Sequence, residues 1–510
     1  MRDQLRPCRL PAWLLAAFLA TALPAAANEQ LDVGFAGGRT TSFWPIDASL
    51  QRGATRPVKT LVQADDKVLV ISNTPTPFGS QFPGNSQIGI TRFNRDGSVD
   101  TSYGPLGQRL LDAGPDFELE AVDAVLRRDG AVLVLGTLYG PFNQSDMAVW
   151  AVLPNGELDS AFAGSGLRRI RRGGSPSDRA GAIVAYELAS DRFLVAGDLR
   201  DGTQGNHSLM QVVLFGNTGG LCAASDCGNV IGGDVGLPSQ WRMLRVDLNF
   251  DSQVTALVAY TQTSPGLSVR WRTLMRRSVV DGQGQFDGVV IGTSFPSQAN
   301  ALGLDPGFGN VGFKQFFFSA AACYRHNTGN QLAVQILGGN PRLLIAGYVA
   351  DAQDLDPSMA VFAMDLLSGN TDASFNGGVA RVFDYAAAGI HGDAYADDIL
   401  VAPDGKILVG GGYESAGFTF GDAALARLNP DGSFDPGFGN LGVALPGRMG
   451  YGHTLAGSDR DNRLASMALS ADGERVVFSG YAYASDDGSY YASAMRARLH
   501  AGDLLRNGFE

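Results

Sequence analysis

The chain has 510 residues, 67 of them glycine, nearly double the usual share of roughly 7%. Charged residues make up 18% and hydrophobic ones 45%, which excludes a disordered chain, and the lack of a Gly-X-Y period excludes collagen. A formal charge of −12 repels nucleic acid and anionic lipid, so neither is expected as a partner.

Residues 1–27 read as a secretory leader. Arg2, Arg6 and Arg9 form a basic start, Trp13 to Ala20 a short apolar core, and Ala25-Ala26-Ala27 a small-residue cleavage site, with a mature start near Asn28. The apolar run falls short of the ~20 residues a membrane span requires, and no later segment supplies one, so no span is expected after cleavage. The expected destination is the periplasm, the outer surface or the medium.

From there the chain repeats. Ile90-Thr91-Arg92-Phe93-Asn94-Arg95-Asp96-Gly97-Ser98-Val99-Asp100 runs on to Tyr103-Gly104. Val149 to Phe162 carries the same pattern around Pro154-Asn155-Gly156-Glu157-Leu158-Asp159. The fullest copy is Pro403-Asp404-Gly405-Lys406-Ile407-Leu408-Val409-Gly410-Gly411, followed by Ala424 to Gly439 with Arg427-Leu428-Asn429-Pro430-Asp431-Gly432-Ser433-Phe434-Asp435. An aromatic closes each unit, at Phe35, Tyr103, Phe162, Phe308, Phe375, Phe438 and Phe509. These anchors recur at roughly 60–70 residues, with one gap of about two units in which a worn anchor is expected at Leu221 to Gly228.

Each unit predicts four strands. An apolar stretch precedes an Asp-Gly turn, and an aliphatic strand follows, such as Val132-Leu133-Val134-Leu135. After a variable loop comes an alternating strand such as Ala424 to Leu428, then a second Asp-Gly or Asn-Gly turn, the aspartate–aromatic anchor and a last strand. The turns read as tight hairpins with both central residues at positive φ. Four strands per unit is the blade of a β-propeller. The expectation is an all-β ring of seven four-stranded blades over 28–510, or six if the divergent stretch 167–300 holds one blade and an insertion. Closure would come from the N-terminal segment lying outside the last blade, or from the C-terminal segment lying beside the first. An open solenoid is the alternative. The anchor aspartates Asp32, Asp100, Asp159, Asp305, Asp372 and Asp435 recur too regularly for chemistry and are expected to accept local hydrogen bonds.

The Leu-Asp-x-x-Phe-Gly anchor, preceded by Arg-Leu-Asn-x-Asp-Gly-Ser and by Asp-Gly-Lys-Ile-Leu-Val-x-Gly, resembles the delta-60 repeat. The resemblance is strongest over 397–442, good over 61–107 and 126–166, fair over 304–378 and weak over 167–300. The last unit, Leu505-Arg506-Asn507-Gly508-Phe509, has arginine where that family has aspartate. Residues 506–510 are open to two readings, a last anchor or a short C-terminal tail of exported proteins. The resemblance implies a secreted or surface bacterial propeller of unknown function and carries no catalytic residues to this chain.

The chemistry-bearing residues are sparse. The five histidines, His207, His326, His391, His453 and His500, form no pair at metal spacing, and no Gly-x-Ser-x-Gly elbow occurs. Cys222 and Cys227 are close enough to form a small disulfide loop in an oxidising compartment. Polar residues recur where the first strand of several units begins: Glu118, Glu120, Asp178, Arg179, Arg325, His326, His391, Asp393, Asp459 and Asp461. First strands line a propeller channel, so these residues are candidates for a ligand-binding mouth, against the plainer reading of solvated loop caps. Asp459-Arg460-Asp461-Asn462 raises calcium but lacks the glycine and terminal glutamate of an EF-hand loop, and no cofactor is otherwise expected. The loops at Thr74 to Ser86, Tyr139 to Ser145 and Asp201 to His207 are candidate contact surfaces. The expected function is a binding or scaffold module holding a protein or glycan of the bacterial envelope. Its rivals are a polysaccharide hydrolase or lyase with channel carboxylates, and a calcium-stabilised surface protein.

Overall fold

The computed structural model describes residues 32, 34–37, 41–43, 55–75, 86–114, 116–141, 144–170, 177–187, 191–200, 207–221, 243–247, 252–262, 268–279, 285–295, 303–319, 324–351, 357–384, 393–414, 421–436, 438, 443–444, 459–484 and 489–499. The leader, Cys222, Cys227, His391 and 506–510 lie outside them. Among the described residues there is no α-helix, and no helix long and apolar enough to cross a membrane.

The repeated strand–turn grammar produces seven antiparallel sheets. Blade 1 is Arg56–Val62, Val68–Pro75, Ser86–Phe93 and Gln108–Leu111. Blade 2 is Glu118–Leu126, Val132–Tyr139, Ser145–Val152 and Leu167–Ile170. Blade 3 is Arg179–Glu187, Arg192–Arg200, His207–Phe215 and Met243–Asp247. Blade 4 is Ser252–Gln262, Ser268–Val279 and Gln285–Phe295, with two short strands, Gly303–Leu304 and Phe313–Phe316, both paired to the third. Blade 5 is Tyr324–Leu337, Asn340–Asp351, Ser358–Asp365 and Arg381–Phe383. Blade 6 is Ala394–Val401, Ile407–Glu414, Gly421–Leu428 and Val443–Ala444. Blade 7 is Asp459–Leu469, Arg475–Ala484 and Ser489–Arg498. Its outer strand is Thr41–Phe43, whose residues pair with Ala494, Ser493 and Ala492. The stretch 167–300 therefore holds two blades' worth of strands, and the blade count is seven. Of the two routes to closure, the N-terminal one is realised.

The first strands pack against one another around the ring, blade 7 against blade 1 included, and so line the axis. The core lies between blades rather than within any one. Met147 and Val149 of blade 2 meet Val195, Met210 and Val212 of blade 3. At the closure, Phe35, Val477 and Ala494 meet Val68, Val70 and Phe93. Val132 to Leu138 are all buried because a second strand has a neighbouring blade on each side.

The hairpins depart from expectation. Gly97, Gly130, Gly156, Gly405, Gly432 and Gly473 have positive φ, but the Asp or Asn before each does not. In the turn at Asn94 to Ser98, the Gly97 amide bonds to the Asn94 carbonyl and the Asn94 amide to the Ser98 carbonyl. This is a three-residue turn with a single left-handed glycine, and Asp96 accepts from the Ser98 amide at 2.9 Å.

The anchors explain the motif. Arg92 donates to Asp100 (2.8 Å) and stacks over Tyr103 (4.6 Å). Arg272 does the same with Asp305 (2.9 Å) and Phe308 (4.1 Å), and Arg342 with Asp372 (2.6 Å) and Phe375 (5.6 Å). Arg427 joins Asp435 (2.6 Å) and Phe438 (4.6 Å), and Arg496 joins Asp32 (2.7 Å) and Phe35 (5.1 Å). Each guanidinium then reaches into the next blade, to the carbonyl of Pro154, Leu366, Pro430, Leu499 or Arg95. In blade 2 Arg127 takes this place, between Asp159 (2.7 Å) and the Gly216 carbonyl (2.8 Å). The residue after the aromatic turns left-handed so that its amide reaches the next blade as well: Ala36 to Asp96, Gly104 to Asn155, Ala163 to Thr218, Gly309 to Ser368 and Asn376 to Asp431. The anchor aspartates are thus structural, as expected, and the arginines make them clamps between blades. The anchor of blade 7 is Asp32 with Phe35.

Candidate functional site: the loop-bearing face and the channel

Because every blade has the same strand order, all first strands start on one face of the ring. The second strands end there and the third strands begin there; of the residues that join them, 76–85, 142–143, 201–206, 280–284, 352–356, 415–420 and 485–488 lie outside the described set. The fourth strands end there as well. The opposite face holds the glycine turns and the arginine clamps. The three loops singled out in the sequence join second and third strands of blades 1, 2 and 3, and 76–85, 142–143 and 201–206 within them lie outside the described residues.

Seven bulges shape the channel. Each first strand breaks register, between Pro57 and Lys59, Ala121 and Asp123, Ala180 and Ala182, Val254 and Ala256, Gly329 and Gln331, Ala396 and Asp398, and Leu464 and Ser466, and those of blades 3, 5 and 7 shift a second time nearer an end. A bulge leaves backbone amides unpaired. In blades 1, 2, 3, 4 and 7 a side chain from the preceding blade caps one, while in blades 5 and 6 Gln331 and Asp398 cap the next residue of their own strand. Asn73 accepts from Ala121 (2.7 Å), Thr137 from Ala180 (3.1 Å) and Asp198 from Val254 (2.9 Å). Asp123 accepts from Ile183 (3.0 Å), Asp398 from Met467 (2.6 Å) and Ser466 from Thr60 (3.1 Å).

Charge gathers just past the bulges. Lys59 of blade 1 pairs with Asp123 of blade 2 at 2.9 Å. Burial works to lower the Lys59 pKa, but Asp123 and then Asp398 of blade 6 outweigh it and raise it. Burial pushes the Asp398 carboxyl up to about 6, against the pull of Lys59 and of the Met467 and Ile399 amides. Their strands also carry Arg56, Glu118, Glu120 and Asp397, so no motif or lone charge marks these three in the sequence.

The predicted mouth residues other than His391, which lies outside the described set, sit at or just before the start of the first strands. Glu120 is exposed and accepts from the Tyr139 hydroxyl (2.5 Å). Burial, then Glu120, pushes that hydroxyl up to about 12. Glu118, Arg179 and Asp393 are partly exposed. Asp178 is fully buried, with its backbone joined to Ser145, and His326 is buried. The backbones of Arg325, Asp459 and Asp461 lie in first strands of blades 5 and 7, and their side chains are outside the described set. Among the described residues no three His, Cys, Asp or Glu side chains gather at metal-binding distance.

Residues 63–103 and 402–438, parts of blades 1 and 6, match a family described as a domain of unknown function (DUF5122) beta-propeller. No curated protein matches the chain. Solved structures of similar shape include a protein of unknown function from Dyadobacter fermentans (12% identity, TM-score 0.41, 90% of this chain and 98% of that one). They also include the beta-propeller domain of the Trilobed protease from Pyrococcus furiosus (8%, 0.39, 90% and 99%) and the GH93 alpha-L-arabinofuranosidase of Fusarium graminearum (10%, 0.38, 76% and 94%). The chain is an all-β, seven-bladed propeller, and its matched segments are similar to a β-propeller domain of unknown function.

Proposed function

We propose that the chain is an exported binding module whose loop-bearing face holds a protein or glycan of the bacterial envelope. One observation carries this reading. The ring spends one face on closure, with repeated turns and clamps, and presents on the other the connections of unequal length beside a polar channel mouth. A stiff frame carrying variable loops is suited to recognition. Residues 1–27 act in this reading as a leader, the units are delta-60 repeats, and Cys222 pairs with Cys227.

The test uses residues 28–510 as bait against envelope and secreted fractions, with and without chelator. The expected result is a partner lost when residues 76–85 are replaced by a short Asn-Gly turn and kept when exposed Val379 on the clamp-bearing face is changed to serine. A partner that survives the loop change, or no partner under any condition, overturns the reading. Loss of the partner in chelator would make calcium part of the site.

A further inference from the structure

The residue two places ahead of each bulge lies on its loop-bearing side. Around the ring these are Arg56, Glu120, Arg179, Gln253, Thr328, Tyr395 and Arg463. Arg56, Glu120 and Gln253 are exposed, so solvent reaches those positions, while Thr328 is fully buried. Tyr348 stands opposite Thr328 and Tyr481 opposite Arg463 on the second strands.

Across blades 5, 6, 7 and 1 these side chains form a continuous row. The Tyr348 and Tyr395 rings meet edge to face at 5.1 Å. The Arg463 guanidinium lies 5.2 Å from the Tyr395 ring and is paired with Tyr481 across the strands. Arg56 lies 5.8 Å from the Tyr481 ring. Arg463 is also held by the bulged Asp397, with two bonds of 2.8 Å. Burial works to lower the Arg463 pKa, and Asp397 overrides it, so the fork remains charged and fixed. The three tyrosines are each partly exposed.

We propose that this row binds a neutral oligosaccharide entering the channel from the loop-bearing face. The inference rests on the binding-module reading and names its ligand class. The row offers partly exposed aromatic rings to the C–H faces of sugars, Tyr395 and Tyr481 each carrying a guanidinium over one face. Beside them are phenol, guanidinium and carboxylate groups that together donate to and accept from hydroxyls. Neighbours fix the rings and the fork in advance, which lowers the entropy lost on binding. A polyanion is disfavoured by the chain's charge of −12 and by the neutralisation of Arg463 by Asp397. A peptide adding as a strand is disfavoured because amides beside the bulges of this row are already capped by side chains, Leu332 by Gln331, Ile399 and Met467 by Asp398, and Thr60 by Ser466.

The test is titration of residues 28–510 with cellohexaose, xylohexaose, maltohexaose, mannohexaose and arabinohexaose. Hyaluronan hexasaccharide serves as the acidic comparison and a proline-rich dodecapeptide as the peptide one. The expected result is saturable binding of at least one neutral hexaose, weakened at least tenfold by Tyr395→Ala and by Tyr481→Ala. Tyr395→Phe keeps the ring and should bind within about threefold of the parent, and a urea midpoint of Tyr395→Ala and Tyr481→Ala unchanged from the parent separates lost stacking from misfolding. Failure of every neutral hexaose overturns the proposal, as does binding indifferent to both alanine variants or restricted to the acidic sugar or the peptide. If envelope capture still depends on 76–85 while no hexaose binds, the ligand class falls and the binding module stands.

Discussion

Removing the Asp32 carboxylate tests the closure of the ring. Asp32 is 3% exposed and receives Arg496 (2.7 Å), Arg475 (3.1 Å) and the Gly34 amide (3.0 Å), with Arg498 at 3.6 Å. Asp32→Ala leaves these cations facing one another, and Arg496 is itself buried. Breaking a buried pair from one side costs about 3–5 kcal/mol. Arg475 keeps Asp472 and Arg496 keeps the Arg95 carbonyl, so the lower end, about 3 kcal/mol, is expected. Asp372→Ala is the internal comparison. Its side chain is 24% exposed and meets one arginine, so a loss of about 1–2 kcal/mol is expected. Urea unfolding of residues 28–510, followed by tryptophan fluorescence, reads both. Burial raises the Asp32 pKa, but Arg496, Gly34 and Arg475 outweigh it and hold the carboxyl below its ordinary 3.8. A depressed pKa contributes stability above the unfolded value and loses it as pH falls through the folded value. The gap between the parent and Asp32→Ala should therefore be full at pH 7 and narrow below about pH 4. A loss under about 0.5 kcal/mol at pH 7, the range of ordinary surface changes, would refute closure through the N-terminus.

The other predictions concern single positions. Ala163 has φ 53°, where glycine carries no steric penalty, so Ala163→Gly should stabilise by about 0.5–1 kcal/mol in the same urea assay. Gly309 shares that conformation, but a Cβ there would lie 2.2 Å from the Phe313 carbonyl oxygen, so Gly309→Ala should cost more than about 2 kcal/mol. Phe438 is fully buried beneath Arg427, and Phe438→Ala should cost about 3–5 kcal/mol, read as a fall in the urea midpoint. Asp398 has the opposite sign from Asp32. Its native pKa, about 6, lies above its ordinary 3.8, so its share of the stability falls as pH rises through 6. Comparing urea midpoints at pH 5 and pH 7.5, Asp398→Asn should remove that part of the pH dependence; an unchanged difference would show that Asp398 does not titrate there.

Much of the fold was legible because each blade must restate its own local rules. The Asp-Gly turns, the aliphatic second strands and the aromatic anchors are short-range features, and their recurrence implied stacked blades. The aspartates Asp100 and Asp435 and their arginines, Arg92 and Arg427, stand eight residues apart in the repeated motif. Yet that spacing does not show the guanidinium reaching Pro154 or Leu499 of the next blade. In blades 4 and 5 the arginine comes from the second strand instead, as Arg272 and Arg342, so no constant spacing exists to be read.

The candidate site was less legible. The start of the first strands could be marked as a channel mouth because strand order fixes which strand is innermost. Burial of Asp178 and His326 follows from packing against neighbouring blades, which spacing does not encode. Lys59, Asp123 and Asp398 come together from blades 1, 2 and 6, and Tyr348, Tyr395, Arg463 and Tyr481 from blades 5, 6 and 7.

By itself the sequence determined the all-β repeat, the positions of most turns and the structural duty of the anchor aspartates, since each rests on neighbours within one blade. Only the tertiary structure decided the count of seven, the choice of Thr41–Phe43 as the closing strand and the bulge level at which charged and aromatic side chains meet. Those depend on how far each blade rotates from the last, and that angle is set by packing between blades rather than by any one of them.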